Sequence, residues 1–409
     1  MWTLTEDIVD RDALEIVAPD RRRHAEDLID LVAKVFGGNN FYRFRDYCRR
    51  GYILNSHYDW DVSRIGLLDG RIVTHYGVWG YRMRIGTAEV RTAGIGAVAT
   101  DGDLRKRGLM APTARASVGA MRAAGYDFSI LFGIDDFYYR FGYVRAWSDT
   151  VYVVKTADLP AGRPASRLHR FAPRDRDDLR RIYEREHAGM TGTAVRPTYP
   201  RDAHPGRYEG HLWTDAKGRT AGYVLTGRLG AAFECVEAGG DIEESLRVVA
   251  ALARRAGADE VRFATFPHAS GIARRLRRGN CRAETHHRRR GGCMVRTVNL
   301  AAALEKMRGE LGRRLRASRL AGWRGNLLLC DAREKVTLAI DRSRVRVAPP
   351  ARSKHAIRGG DAVAQLLIGT EDPGEVAEMA GMRLAGDARQ LAAVLFPSQH
   401  PALCQWDRY

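Results

Sequence analysis

A chain of 409 residues is longer than one compact core serves and predicts two or three domains. Hydrophobic residues make up 45 % of it, enough for sizeable cores, and no apolar run approaches the roughly 20 residues that span a bilayer, which argues against a membrane partner. The formal charge of +18 attracts polyanions or phosphorylated cofactors, but the arginines are spread along the chain without a nucleic-acid-binding motif, so no nucleic-acid partner is expected.

The opening MWTLTEDIVDRD is acidic and lacks the basic-then-apolar order of a signal peptide. The six cysteines are scattered, with no CxxC pair, which fits reduced thiols and a cytoplasmic protein. Residues 20–37, DRRRHAEDLIDLVAKVFG, are amphipathic and end at Gly37 and Gly38, as a helix does. Residues 63–100 alternate as strands, with Asp69-Gly70 as a hairpin turn. After the loop ATDGDLRKRGLM (99–110) comes a helix with Met110, Ala114, Val118 and Met121 on one face and Gly125 at its close, then the strand YDFSILFG.

DLPAGRPASRLHR (158–170) reads as a linker. Beyond it, DLRRIYEREHAG is a helix, TAGYVLTGRL and AAFECVEAG are strands, and 245–266 repeat the order helix, glycine, strand. That repetition implies a second copy of the first supersecondary plan. From about 301 the pattern changes to alternating strands (325–349) followed by the short helices DAVAQLLIG and DARQLAAVLFP, an α+β domain.

The loop at 99–110 carries the chemistry. A helix that follows a strand exposes unpaired N–H groups at its first turn, which attract an anion. Gly108 allows close backbone approach, and Arg105, Lys106 and Arg107 add charge, arginine being able to grip phosphate with two N–H groups. A pyrophosphate fits; an ordinary basic turn is the alternative. There is no P-loop motif. Gly94-Ile-Gly96-Ala-Val-Ala99 matches GxGxxA but lies inside a strand rather than opening a helix, so it is no dinucleotide fingerprint.

Strand, R-x-x-G-x, helix and strand resemble the acyl-CoA-binding core of the GNAT acetyltransferase superfamily, and FYYRFGY (137–143) resembles the YxRFGY signature of its Eis-like branch. LLIGTED, VLFP and the closing WDRY resemble the last domain of that branch. The resemblance implies a mixed α/β and α+β chain of tandem GNAT-type domains followed by a sterol-carrier-protein-like domain. It divides the chain into 1–155 (acyl-CoA-binding and catalytic), 156–300 (a degenerate copy) and 301–409. It implies a hexamer and acetyl-CoA as acyl donor, with no metal. Val98 and Thr100 would line the pantetheine arm, and Arg105, Lys106, Arg107 and Gly108 would hold the pyrophosphate. Met110 stands where the general motif has Gly or Ala. At the equivalent place the second copy has GGDIEESL, whose acids repel a pyrophosphate while satisfying the helix dipole.

Amine acetylation needs a neutral amine, stabilisation of an oxyanion and a proton for the departing thiolate. By resemblance Tyr138 is the acid, although Tyr139 occupies a position that is usually glycine, so either could serve. The main-chain carboxylate of Tyr409 would reach the first domain's site, where a group of pKa near 3.5 positions an ammonium better than it accepts a proton; a frayed tail is the alternative. Asp135 and Asp136 would hold the acceptor amine, with solvated loop acids as the alternative; Trp60 and Phe137 would line its pocket or equally belong to the core. HHRRRGGC (286–293) reads as a solvated basic hairpin because adjacent histidines on a strand face opposite ways. The expected function is N-acetylation of a small-molecule primary amine, aminoglycoside-like or less cationic. The alternative is an apolar-ligand carrier with a vestigial core.

Overall fold

The computed structural model describes residues 13–164, 167–196, 208–229, 232–288 and 290–409. The opening MWTLTEDIVDRD, two residues of the linker (165 and 166) and Arg289 of HHRRRGGC lie outside the described residues. No described helix is long and apolar enough to cross a membrane.

Three sheets organise the α/β architecture. The first runs, edge to edge, Glu15–Val17, Arg64–Leu68, Arg71–Ile85, Ala88–Thr100, Phe128–Gly133, Gly292–Thr297 and Val144–Arg145, with Ala194–Val195 also pairing to Arg71–Ile85. Its hairpin turns at Asp69 and Gly70, whose φ values of 49° and 75° are the left-handed pair that a tight two-residue turn demands. Ala88–Thr100 and Phe128–Gly133 are parallel, joined by the crossover helix Met110–Ala123.

The second sheet runs Arg282–His286, Asp149–Lys155, Glu260–Ala264, Ala232–Gly239, Thr220–Leu229, Tyr208–Thr214 and His169–Arg170. It repeats the plan of the first: Ala232–Gly239 and Glu260–Ala264 are parallel, with the helix Ile242–Arg255 between them. Sheet membership does not follow the divisions at 155 and 300. Asp149–Lys155 inserts into the second sheet beside Glu260–Ala264, and Gly292–Thr297 inserts into the first beside Phe128–Gly133. Each half of the chain thus lends the other an internal strand, and neither sheet closes alone.

The third sheet, of five strands, orders as Arg344–Ala348, Lys335–Asp341, Arg324–Cys330, His355–Arg358 and Arg383–Ala385. The helix Leu300–Arg316 joins it to the first domain. Leu300, Leu304, Met307, Leu311 and Leu315 recur at helical spacing and are wholly buried in one core with Ile85, Phe128 and Ile130 of the first sheet and Leu327 and Leu338 of the third. At roughly 1.5–3 kcal/mol per large buried side chain, this seam is a fixed joint rather than a hinge. Lys306 adds a 2.5 Å ion pair to the buried Asp127, and Glu310 accepts a 2.8 Å hydrogen bond from the Thr87 hydroxyl.

Candidate active site

The parallel strands Ala88–Thr100 and Phe128–Gly133 pair from Thr92 opposite Phe128 to Ile95 opposite Leu131, and then part. A bulge forces them apart. Against Arg71–Ile85 the register skips from Gly77–Gly96 to His75–Ala99, so Ala97 and Val98 together face one residue, and Ala97 sits at φ 46°. Such a bulge bends its strand and raises its twist. The bulge is pinned from behind: His75 Nδ1 lies 2.8 Å from the Ala97 carbonyl, and the Tyr58 hydroxyl lies 2.8 Å from His75 Nε2. Because a carbonyl only accepts, Nδ1 carries the proton and Nε2 accepts from Tyr58. Burial lowers the pKa of His75 to about 4, which keeps the ring neutral.

Val98, in the bulge, and Thr100, beyond it, are both half-buried, on the stretch that no longer pairs with Phe128–Gly133. Asp101 then accepts a hydrogen bond from the Asp103 amide at 3.3 Å, and the chain turns through Lys106 (φ 64°) and Gly108 (φ 82°) into the helix Met110–Ala123. No side chain caps that helix, so its first N–H groups remain available. Arg105, Lys106 and Gly108 are exposed around it and Arg107 is half-buried. The equivalent helix of the second copy is different. Asp241 accepts from the Glu244 amide at 2.8 Å, and Glu243 and Glu244 fill the first turn.

Tyr138 lies on the same face of the first sheet as this helix, in one cluster with Ala93, Ile95, Met110 and Leu131. Its ring passes against Gly133, where a Cβ would come within 2.4 Å of it, so the strand's last glycine makes room for the phenol. Burial pushes the phenol pKa up, and its hydroxyl makes no hydrogen bond with the described residues. Neighbouring phenols are engaged: Tyr143 with Ser129 at 2.7 Å, Tyr126 with Asp59 at 2.6 Å. Tyr139 points outward, 43 % exposed, beneath the Arg290 guanidinium at 4.9 Å.

The other face receives the end of the chain. Gly94 and Gly96 alternate with Ala93 and Ile95. A Cβ at Gly94 would lie 2.3–2.5 Å from ring atoms of Tyr409, and one at Gly96 would lie 3.2 Å from the Tyr409 main-chain carbonyl carbon. The tail is held at successive points. Asp407 accepts two 2.7 Å hydrogen bonds from Arg196, which also grips Glu237 and lies 3.4 Å over the Tyr183 ring. Arg408 pairs with Asp149 at 2.6 Å and packs on Phe132, and the Tyr409 hydroxyl donates to the Ile130 carbonyl at 2.9 Å. Such anchoring is incompatible with a frayed tail.

Between these walls lies a cavity of about 1330 Å³, bordered by Trp60, Tyr58, Trp79 and Asp59 of the first domain, Arg176 of the second, and Tyr409. Asp135, Asp136 and Phe137 are not among the lining residues. Asp136, at φ 57°, turns away and pairs with Arg290 at 3.3 Å; Asp135 abuts Gly291; and Phe137 packs into the apolar cluster around Tyr138. One left-handed residue reverses the loop there, so nearness to Tyr138 in sequence does not bring these side chains to the cavity. Tyr52, Tyr58, His75 and Arg176 carry no spacing signal in the sequence. His286 and His287 are exposed, as a solvated hairpin requires, with the Ser148 hydroxyl 2.8 Å from His287 Nδ1. Glu237, Cys404 and Asp407 bring ligand-type atoms within 4.8 Å of one another, but Arg196 already occupies both carboxylates.

Residues 20–146 match the family profile of an acetyltransferase (GNAT) domain. No curated protein matches by sequence. Among solved structures, a GCN5-related N-acetyltransferase from Anabaena variabilis superposes with a TM-score of 0.75 at 14 % identity, over 95 % of this chain and 99 % of its own. One from Kribbella flavida gives 0.72 at 18 % identity, over 97 % and 98 %. Eis1 from Mycobacterium abscessus gives 0.63 at 15 % identity, over 94 % and 97 %. At these identities the likeness establishes the fold, and it does so end to end.

Proposed function

Since residues 20–146 are a GNAT acetyltransferase domain set in a fold shared with Eis-type N-acetyltransferases, we propose that the chain moves an acetyl group from acetyl-CoA to a primary amine of a small molecule. The observation that carries this reading is the parting of two parallel strands after Ile95 and Leu131, which leads to an uncapped, cation-ringed helix start behind Gly108. In it the arginines and the helix N–H groups hold the donor's pyrophosphate, and the parted strand edge from Val98 to Thr100 receives the pantetheine arm.

The acceptor enters from the opposite side, through the cavity under Tyr409. Its neutral amine attacks the thioester carbonyl carbon; a C–N bond forms and the C–S bond breaks. The thiolate takes the proton of Tyr138, a phenol that burial keeps neutral and whose hydroxyl has no competing partner among the described residues. The proton lost by the amine leaves to water beside the main-chain carboxyl group of Tyr409, which positions the incoming ammonium. Tyr138 is favoured over Tyr139 because the latter faces solvent. A carrier role draws no support from the third domain, whose interior is filled by Leu327, Leu338, Leu366 and Leu391.

Mass spectrometry of an amine panel after incubation with acetyl-CoA tests the proposal. A product acetylated on nitrogen is expected, and its formation should stop when acetyl-CoA is withheld. Unmodified amines across the panel, from a chain shown to bind acetyl-CoA, would overturn it.

A further inference from the structure

The charges around the acceptor cavity say what kind of amine it takes. Six cationic side chains border it: Arg82, Arg91, Arg176, Arg196, Lys306 and Arg408. Four are matched by carboxylates: Arg82 with Glu89 at 3.0 Å, Arg196 with Asp407 at 2.7 Å, Lys306 with Asp127 at 2.5 Å and Arg408 with Asp149 at 2.6 Å. Arg91 has no carboxylate partner; its guanidinium rests on the Tyr126 ring at 4.2 Å and donates to the Ala124 carbonyl. Arg176 makes no hydrogen bond or ion pair with the described residues, and its Nε is buried without an acceptor. Of the two lining guanidinia without a carboxylate, Arg91 rests on a ring and a carbonyl, whereas the half-buried Arg176 has neither, and its buried Nε is costly unless something else supplies the anion.

The first-domain wall, which holds Arg82 and Arg91, also carries two acids, with Arg64 close to both. Asp59 is fixed by the Tyr126 hydroxyl at 2.6 Å and the Val62 amide at 3.1 Å, and Asp61 stands exposed beside it. Between the two walls the surface is aromatic, with Trp60 set edge-on to Tyr58 at 4.8 Å and Tyr52 stacked on Trp79 at 4.7 Å. Aromatic faces of this kind bind apolar or ring-bearing bodies.

Resting on the acyl-transfer reading above, we propose that the acceptor is an amphipathic amine that also bears a carboxylate: the ammonium is drawn to the Asp59–Asp61 wall, an aromatic or apolar body fills the middle, and the carboxylate docks on Arg176. A polycation fits less well, because its further ammonium groups find Glu89 and Asp407 already paired and Arg91 and Arg176 without a carboxylate.

The quenching of tryptophan fluorescence is a suitable readout, since Trp60, Trp79 and Trp406 border the cavity. The probes are phenylalanine, Phe-Phe and Phe-Phe-Phe, each as free acid and as C-terminal amide, with spermine as the polycation. At one chain length or more the acid should bind about tenfold to a hundredfold more tightly than its amide, the range for one charge-assisted pair. Arg176→Gln should abolish that difference while leaving amide binding and acetyl-CoA binding unchanged, and thiol release from acetyl-CoA should follow the same order in KM. Equal binding of acid and amide at every length, tighter binding of spermine, or equal weakening of all probes in Arg176→Gln overturns the inference. Carboxylate-dependent binding without thiol release sustains the docking of the ligand and instead removes the transferase reading.

Discussion

The Tyr409 hydroxyl donates a 2.9 Å hydrogen bond to the carbonyl of Ile130, so the last residue of the chain is fastened to the strand that parts from Ala88–Thr100. That contact requires Gly94, whose missing side chain leaves room for the Tyr409 ring. Gly94→Ala would place a methyl group 2.3–2.5 Å from ring atoms and should displace the tail. Steady-state kinetics should show kcat reduced by about 10²-fold, the scale of a misplaced catalytic geometry, with acetyl-CoA affinity measured by calorimetry unchanged. Extending the chain by two glycines beyond Tyr409 should reproduce the kinetic defect.

Arg196 is buried between Glu237 and Asp407, with 2 % of its side chain exposed, and anchors the tail to the second domain. Arg196→Met removes the buried cation that Glu237 and Asp407 share. Urea denaturation should record a loss of about 3–5 kcal/mol, as for a broken buried pair. Asp407→Asn keeps the Arg196–Glu237 pair and should cost less.

If the loop before Met110 holds the donor's pyrophosphate, as proposed, the double variant Arg105→Gln, Arg107→Gln removes charge that donor and transition state feel alike. KM for acetyl-CoA should rise about tenfold or more while kcat at saturation stays within about twofold. A fall in kcat with KM unchanged would place these arginines elsewhere in the mechanism.

Two buried histidines set an acid limit on stability. Burial lowers both His75 and His187 from the ordinary 6.5 to about 4. In that window the unfolded chain binds protons that the folded chain refuses. Stability is therefore complete above pH 6.5 and falls as pH drops towards 4, by up to about 1.4 kcal/mol per pH unit for each histidine. Urea midpoints measured from pH 7 to pH 4 should follow that slope. His75→Asn can still donate to the Ala97 carbonyl and should make the slope shallower by the share that His75 contributes.

The same residues explain what was legible in the sequence. Asp69-Gly70 and the loop before Met110 could be read because each rests on local backbone demands: a left-handed pair, a glycine at φ 82°, an open helix start. The exchange of Asp149–Lys155 and Gly292–Thr297 between sheets could not, since alternation marks a strand but its partner is chosen by contacts far along the chain. The helix Leu300–Arg316 has a readable period in Leu300, Leu304, Met307, Leu311 and Leu315, although the sequence reading of the third domain rests on the strands that follow. For Asp135 and Asp136, nearness to Tyr138 in sequence does not fix direction in space, because a single positive φ at Asp136 turns the loop away from the cavity.

The role proposed for Tyr138 is to protonate the thiolate that acyl transfer releases. Thiol release from acetyl-CoA in the presence of an acceptor amine, compared between the native chain and Tyr138→Phe, is the decisive measurement. Amine-dependent release is expected to fall about 10²–10⁴-fold in kcat when the hydroxyl is removed, with acetyl-CoA binding intact. Undiminished release from Tyr138→Phe would contradict it.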